Sequence, residues 1–429
     1  MNSSWTETTL GEGIEFTNGV SYVSEDYAID QNGHFFLTIK CFEKGGGFSW
    51  EGVKYIKGFY LASQVVEPGD LLLANTDLTR AGDIIGSPMI VPDLGEKRLI
   101  LPSMDVSVLR TSDKKTNLVF LYYRLMQPDA RHYMLAHSAG STVLHLETKS
   151  LPKYKFNRPS PIEQLRICDI LSTIDKEITL TESLIAKHQQ IKAGMMQDLF
   201  TRGITEDGKL RPTYHEAPHL YKESRLGWIP KEWEVVLLRD LFDCQLGKML
   251  NKLAKTGKMS AKYLGNKAVQ WDYVDINELE EMDFDPQERL KFSLLPGDLL
   301  VCEGGDVGRT VLWRGEIEDC YYQKAIHRLR RKEENIYPEF ILRFMRFAYS
   351  NGLFNDFTSQ SSIAHLTMEK LKMVNVLMPS IEEQTRISVR LNSIDSMLQI
   401  ELQRLIKTKY SKLGLMHDLL TGKVPVIIH

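Results

Sequence analysis

Pro159-Ser160-Pro161-Ile162-Glu163-Gln164-Leu165-Arg166-Ile167 returns 220 residues later as Pro379-Ser380-Ile381-Glu382-Glu383-Gln384-Thr385-Arg386-Ile387. The register holds without a gap to Thr201 and Thr421, through Leu171/Leu391, Ile174-Asp175/Ile394-Asp395, Lys187/Lys407, Lys192/Lys412, Gly194/Gly414, Met196/Met416 and Asp198-Leu199/Asp418-Leu419. Such gapless agreement marks an internal duplication. Each copy reads as a long helix, over 156–203 and 376–423. Ser160 and Ser380 are N-cap candidates, with Glu163 and Glu383 three residues on, the spacing at which serine and glutamate satisfy each other's free backbone donors. Pro161 suits a first helical position, where its missing N–H costs nothing. Gly203 and Gly422 mark the ends.

Apolar residues follow four-three spacing in both copies. Ile167, Leu171, Ile174, Ile178 and Ile185 in the first, and Ile387, Leu391, Ile394, Leu398 and Leu405 in the second, are the expected helix–helix contacts. About 40 residues at 1.5 Å rise give a rod of about 60 Å, longer than most globular helices. The expectation is an antiparallel coiled-coil spacer.

Upstream of each helix, Phe120 matches Phe340 and His145-Leu146 matches His365-Leu366 at the same offset. Further upstream the offset is 228, with Trp5/Trp233, Leu10/Leu238, Gly19/Gly247 and Pro68-Gly69-Asp70-Leu71-Leu72/Pro296-Gly297-Asp298-Leu299-Leu300. An eight-residue length difference therefore falls between about 72 and 109. The chain is domain–helix–domain–helix: 1–155, the helix of 156–203, a polar linker over 204–226, 227–375, the helix of 376–423, and a tail at 424–429. Strands are expected at Phe35–Ile39, Asp70–Ala74, Ala268–Val274 and Asp298–Cys302, and shorter helices at Leu118–Met126 and Phe340–Tyr349. The fold class is α+β: two pseudo-repeated domains separated and followed by long helices.

A chain of 429 residues with 43% hydrophobic and 25% charged residues is ordinary globular material, which excludes a disordered tail or a fibrous rod. No apolar run approaches a membrane span, and the start lacks a signal-peptide pattern. Five scattered cysteines without C-x-x-C exclude a disulfide framework and a Cys-rich zinc site, and point to the cytoplasm.

Catalytic motifs fail one by one. His215-Glu216-Ala217-Pro218-His219 has the H-E-x-x-H spacing, but Pro218 breaks the helix that would put both histidines on one face. No phosphate-binding G-x-x-x-x-G-K-[ST] occurs, and Gly11-Glu12-Gly13 follows no strand. The chain reads as a binding module that itself holds no metal or cofactor.

The net charge of −3 hides one basic surface. Lys248, Lys252, Lys255, Lys258, Lys262 and Lys267 occur with no intervening acid, a spacing suited to a loop laid along phosphates, although a solvated surface loop has the same composition. Asn266, Gln270, Trp271 and Tyr273 follow as base-edge or stacking candidates. The first domain is less basic, with Lys40 and Lys44 beside Gly45-Gly46-Gly47. Beyond each Pro-Gly-Asp turn, itself expected to be structural, lies a polar loop holding an arginine: Thr76, Thr79 and Arg80 in one, Arg309 in the other. Each arginine is equally suited to a nucleic acid or to an ion pair with Asp83 or Asp306. Ser138–Thr142 and Ser359–Ser362 are hydroxyl-rich loops better suited to turns and caps than to phosphate binding.

The duplicated layout, the P-S-x-x-E-Q-x-R-I helix starts, the Pro-Gly-Asp-Leu-Leu elements, Glu303–Arg309 and the helix ends Met196–Thr201 and Met416–Thr421 together resemble the specificity (S) subunits of type I restriction–modification systems. The resemblance implies a non-catalytic subunit with two target-recognition domains, each reading half of a bipartite site in double-stranded DNA, with the helices fixing the unread spacer. It implies partners as well: two methyltransferase (M) subunits carrying S-adenosylmethionine, and restriction (R) subunits using ATP and Mg. Two other readings stay open at this level, a specificity subunit of a modification-only complex and a coiled-coil scaffold that binds no DNA.

Overall fold

The computed structural model describes residues 5–28, 32–79, 81–113, 115–250, 257–355 and 365–427. The chain divides into two compact units, Met1–Ser183 with Gln403–His429, and Leu184–Leu402. The division cuts across the segments expected from sequence. Each unit takes one α+β domain, part of the first long helix and part of the second.

In the first unit an antiparallel sheet has the order Ile14–Asn18, Val106–Thr111, Leu71–Ala74, Pro88–Ile90. A three-stranded sheet follows, with His34–Leu37 central, antiparallel to Val53–Ile56 and parallel to Ile100–Pro102. The second unit repeats these two sheets strand for strand. Its large sheet runs Phe242–Leu246, Ile326–Arg331, Leu299–Cys302, Thr310–Leu312, and its smaller sheet centres on Ser260–Leu264 between Glu280–Asp283 and Tyr321–Tyr322. Most of the eight-residue difference is one loop: residues 75–87 stand where 303–309 do in the second unit.

The strands begun by Leu71 and Leu299 are buried along their whole length, because sheet and helix cover both faces. The turns before them are structural. Gly69 and Gly297 sit at φ +99° and +98°, a conformation glycine adopts without steric cost. Asp70 and Asp298 then cap the turns, accepting the amides of Glu67 and Leu295. Arg110 and Arg330, both on the neighbouring strand, pair with those carboxylates.

The long helices run Pro161–Thr201 and Ile381–Leu420, shorter than expected at both ends. The residues before each start are instead strands, Lys155–Arg158 and Asn375–Met378, paired with Thr6–Thr9 and Glu234–Leu237. Ser160 and Glu163 form the expected reciprocal cap, with the Ser160 amide donating to Glu163 Oε2 at 2.9 Å and the Glu163 amide to Ser160 Oγ at 3.4 Å. In the second copy only half of it forms: the Glu383 amide donates to Ser380 Oγ, while the Glu383 carboxylate turns to the linker. Gln164 and Gln384 are fully buried and explain their repetition. Each accepts the amide at the start of its domain's shorter helix (Asn117 and Tyr337) and donates to two carbonyls, Lys115 and Pro159 or Asn335 and Pro379.

Within each unit the two helices pack antiparallel. In the first, Ile167 and Leu171 share a core with Met416, Leu419 and Leu420. In the second, Met196, Leu199 and Phe200 share one with Ile387 and Leu391. Ile185, Ile394 and Leu398 are also buried, and Ile174, Ile178 and Leu405 half-buried. Phe200 anchors the second seam, 5.4 Å from the Phe340 ring and 5.0 Å from Phe347.

The shorter helices occur at Leu118–Leu125 and Pro338–Ser350, as the pattern requires. One expectation needs correction. Residues 268–274 are not a strand: buried Val269 and Val274 form a lone bridge around an exposed turn, and the strand lies earlier, at Ser260–Leu264. The polar linker of residues 204–226 is tied to the second unit. Glu383 accepts from Arg211, the Ile204 amide and Trp233 Nε1, and Tyr221–Ser224 pairs with Gly227–Pro230 in a hairpin.

Among the described residues no helix is long and apolar enough to cross a membrane. All five cysteines are free.

Candidate nucleic-acid interface

In each domain the strand after the Pro-Gly-Asp turn delivers a polar loop beside a second loop from the smaller sheet. In the second domain these are residues 303–309 and 265–275. Asn266 Nδ2 donates to the Gly304 carbonyl at 3.0 Å, and Arg309 Nη2 donates to the Asn266 carbonyl at 2.9 Å. Trp271 Nε1 donates to Asp306 Oδ2 at 3.2 Å. The two loops are thus one body, although 35 residues separate Trp271 from Asp306.

Lys258, Lys262 and Lys267 are exposed. Lys262 stands on the strand Ser260–Leu264 next to buried Tyr263, so alternation along the strand turns its ammonium outward. Gln270 is half-buried and donates to the Lys267 carbonyl, closing the turn. Tyr273 is 60% exposed. Exposed lysines and an exposed aromatic ring are the groups that meet phosphates and bases, although Lys262 stands opposite Glu281 on the neighbouring strand.

Three expected DNA ligands are used internally instead, Asn266 through its bond to Gly304 and two others. Lys248 is mostly covered and lies against the Phe284 ring, with its ammonium on Glu288 at 2.5 Å and on the Asp283 carbonyl at 2.7 Å. That ammonium is committed within the domain, so it is not a free phosphate ligand. Arg309, mostly buried, holds Asn266 and lies 3.9 Å from Asp306, which is the ion-pair alternative. Lys252 and Lys255 lie outside the described residues, as do Arg80 and Ser359–Ser362.

In the first domain Lys40 is exposed on the short turn Ile39–Cys41. Lys44 is exposed too, with its ammonium 2.5 Å from Asp83. Thr79 is exposed and accepts the Asp83 amide. Thr76 is buried in the strand opposite His145, so it is not placed to meet a ligand from solvent. The residue that shapes this loop is Asp77, fully buried, which accepts the amides of Thr79 and Ile85 at 2.6 and 3.0 Å and also that of Ile84. Burial pushes its pKa up, but these hydrogen bonds outweigh burial and hold it below the usual carboxylate value. The sequence signal was Asn75-Thr76-Asp77, an aspartate poised to bond backbone just ahead.

The H-E-x-x-H spacing makes no metal site. His215 lies in a turn and His219 in the three-residue Pro218–Leu220 helix, so no helix face joins them. Among the described residues no group of three or more His, Cys, Asp or Glu could hold a metal. A cavity of about 620 Å³ in the second unit is walled by ions already paired, Lys192 and Arg343 with Asp395, and Arg346 with Asp272.

The family profile described as the type I restriction modification DNA specificity domain matches residues 68–190 and 230–409. The chain is 26% identical over 371 residues to the type I restriction enzyme MjaVIII specificity subunit of Methanocaldococcus jannaschii, covering 84% of this chain and 80% of that one. It is 22% identical over 406 residues to the EcoBI specificity subunit of Escherichia coli, covering 92% and 80%. Among solved structures, the S subunit of a type I restriction–modification system from M. genitalium superposes with a TM-score of 0.57 at 14% identity, covering 100% of this chain and 98% of that one. A chain from a study of complex assembly and conformational transition in the type I R-M system gives 0.59 at 15%, covering 99% of each.

Proposed function

Because the chain belongs to the family of type I restriction–modification DNA specificity domains, we propose that each of its two α+β domains reads one half of a two-part site in duplex DNA. It is a specificity subunit, non-catalytic in itself, and acts with methyltransferase subunits and DNA. In the proposed assembly two methyltransferase subunits carry S-adenosylmethionine and modify adenine within the site. Restriction subunits, using ATP and Mg, join the same complex, and the compartment is the cytoplasm. Family membership leaves the scaffold reading without support.

One observation carries the two-part reading. Each unit holds the start of one long helix and the end of the other, closed by equivalent ion pairs, Lys412–Asp175 and Lys192–Asp395. Two readers on continuous helices supply the axial register that half-sites on DNA require. Their unlike loops, lysine-rich in one domain and sparsely charged in the other, fit two different words.

The test is a comparison of modified adenines in cells with and without this chain. Loss of modification at one motif, two words with a constant gap, is expected. Lengthening both helices by a heptad should widen the gap and leave both words intact. A gap that stays constant would refute the spacer role.

A further inference from the structure

We propose that Asp306 is the positioning residue of the second domain's base-reading surface, locking the loop of residues 265–273 to that of 303–309 so that Lys267 and Tyr273 are presented on one rigid face. The proposal rests on the two-word reading above and names the residue on which the second word depends.

Asp306 accepts hydrogen bonds from two other elements and stands near a cation of its own loop. Trp271 Nε1 reaches it from the smaller-sheet loop at 3.2 Å, and Tyr349 Oη from the domain helix at 2.6 Å. Arg309, from its own loop, stands 3.9 Å away. The tryptophan is also held through its ring, which lies 5.1 Å from the Tyr349 ring and 4.7 Å from the Arg346 guanidinium. Tyr349 and Arg346 belong to the helix Pro338–Ser350, whose opposite face is core. The carboxylate therefore couples two loops to a rigid element, which is what a recognition surface needs to hold side chains within a few tenths of an ångström.

One further observation favours positioning over chance. The first domain closes the equivalent junction with different chemistry, since Asp83, on the loop after its Pro-Gly-Asp-Leu-Leu strand, pairs with Lys44 from the smaller-sheet loop. An aspartate on the same loop thus joins the same two loops in both domains, while the partner residues and displayed side chains differ.

The test uses the full chain in complex with its methyltransferase, and duplexes carrying the motif found by the methylation comparison. Affinity is measured for the motif and for every single-base change in each word. D306A should lower discrimination within the second word about tenfold, the value of one base pair's recognition, and leave discrimination within the first word unchanged. W271F removes the indole donor but keeps an aromatic ring, and should give a smaller loss confined to the same word. D306E should restore part of it. A merely structural role would shift melting temperature or active fraction and leave the ratios alone. Unchanged ratios in both D306A and W271F, with wild-type discrimination intact, overturn the proposal. Absence of discrimination in the wild type would instead refute the DNA-reading function beneath it.

Discussion

Lys192 Nζ and Asp395 Oδ1 meet at 2.5 Å, and their counterparts one repeat away, Lys412 and Asp175, meet at 2.6 Å with the two helices exchanging roles. Four repeated residues are thus two copies of one reciprocal bridge. Each aspartate also receives a group from its domain's shorter helix, Tyr123 Oη on Asp175 at 2.7 Å and Arg343 on Asp395 at 2.6 Å. The bridge therefore fixes helix to helix and domain to helix together. Asp395→Ala leaves two mostly buried cations without their carboxylate and should cost about 1–3 kcal/mol in chemical denaturation. The exchanged pair Lys192→Asp with Asp395→Lys should recover only the helix–helix part, because Arg343 then faces a lysine.

Glu383 and Glu163 occupy equivalent positions with unequal duties. Glu383 accepts from Arg211, the Ile204 amide and Trp233 Nε1, whereas Glu163 accepts from Ser160 and from Trp5 Nε1 at 3.3 Å. Glu383→Gln strands a mostly buried guanidinium and should cost about 3 kcal/mol. Glu163→Gln weakens only a helix cap and should cost about 1 kcal/mol. Denaturation midpoints of the two variants rank them directly.

Surface and internal lysines should separate in a salt titration. Alanine at Lys258, Lys262 or Lys267 is expected to flatten the dependence of DNA affinity on salt by about one unit for each phosphate left unneutralised, with folding stability unchanged. Lys248→Ala should do the reverse, lowering stability by breaking the bond to Glu288 and leaving the salt slope alone. Slopes indistinguishable from wild type for all three exposed lysines would exclude this surface from the interface.

His327 provides a pH test. It is fully buried in the strand Ile326–Arg331, with Nε2 on the Leu366 carbonyl at 3.0 Å. Burial, opposed by that carbonyl and by Glu303, holds its pKa below the ordinary 6.5. Because the folded value is the lower one, the unfolded chain binds the extra proton first. Stability is therefore full above about pH 6.5 and falls as pH drops towards the folded value. Melting temperature followed from about pH 8 to about pH 5 should decline, and His327→Gln should flatten that decline. A slope identical in the variant would exclude His327 as its source.

Local sequence information suffices for the plan: two α+β domains, two long helices and their registers. A repeat of capping residues and apolar spacing is local information, and local chemistry sets where a helix starts and which face is apolar. It also marked Trp5/Trp233, Gln164/Gln384 and the Pro-Gly-Asp turns as shared, without saying why. The duty of each residue followed from the neighbours that folding brings to it. Lys248 and Lys262 are both lysines in one basic stretch, yet one is sealed against Glu288 and the other faces solvent, because strand alternation and a helix 40 residues away are invisible to composition. Arg309 turned inward for the same reason, and Asp306 drew its hydrogen-bond donors from two other elements, the loop of Trp271 and the helix of Tyr349. Partnership depends on distances through space, and those are set when the sheets close.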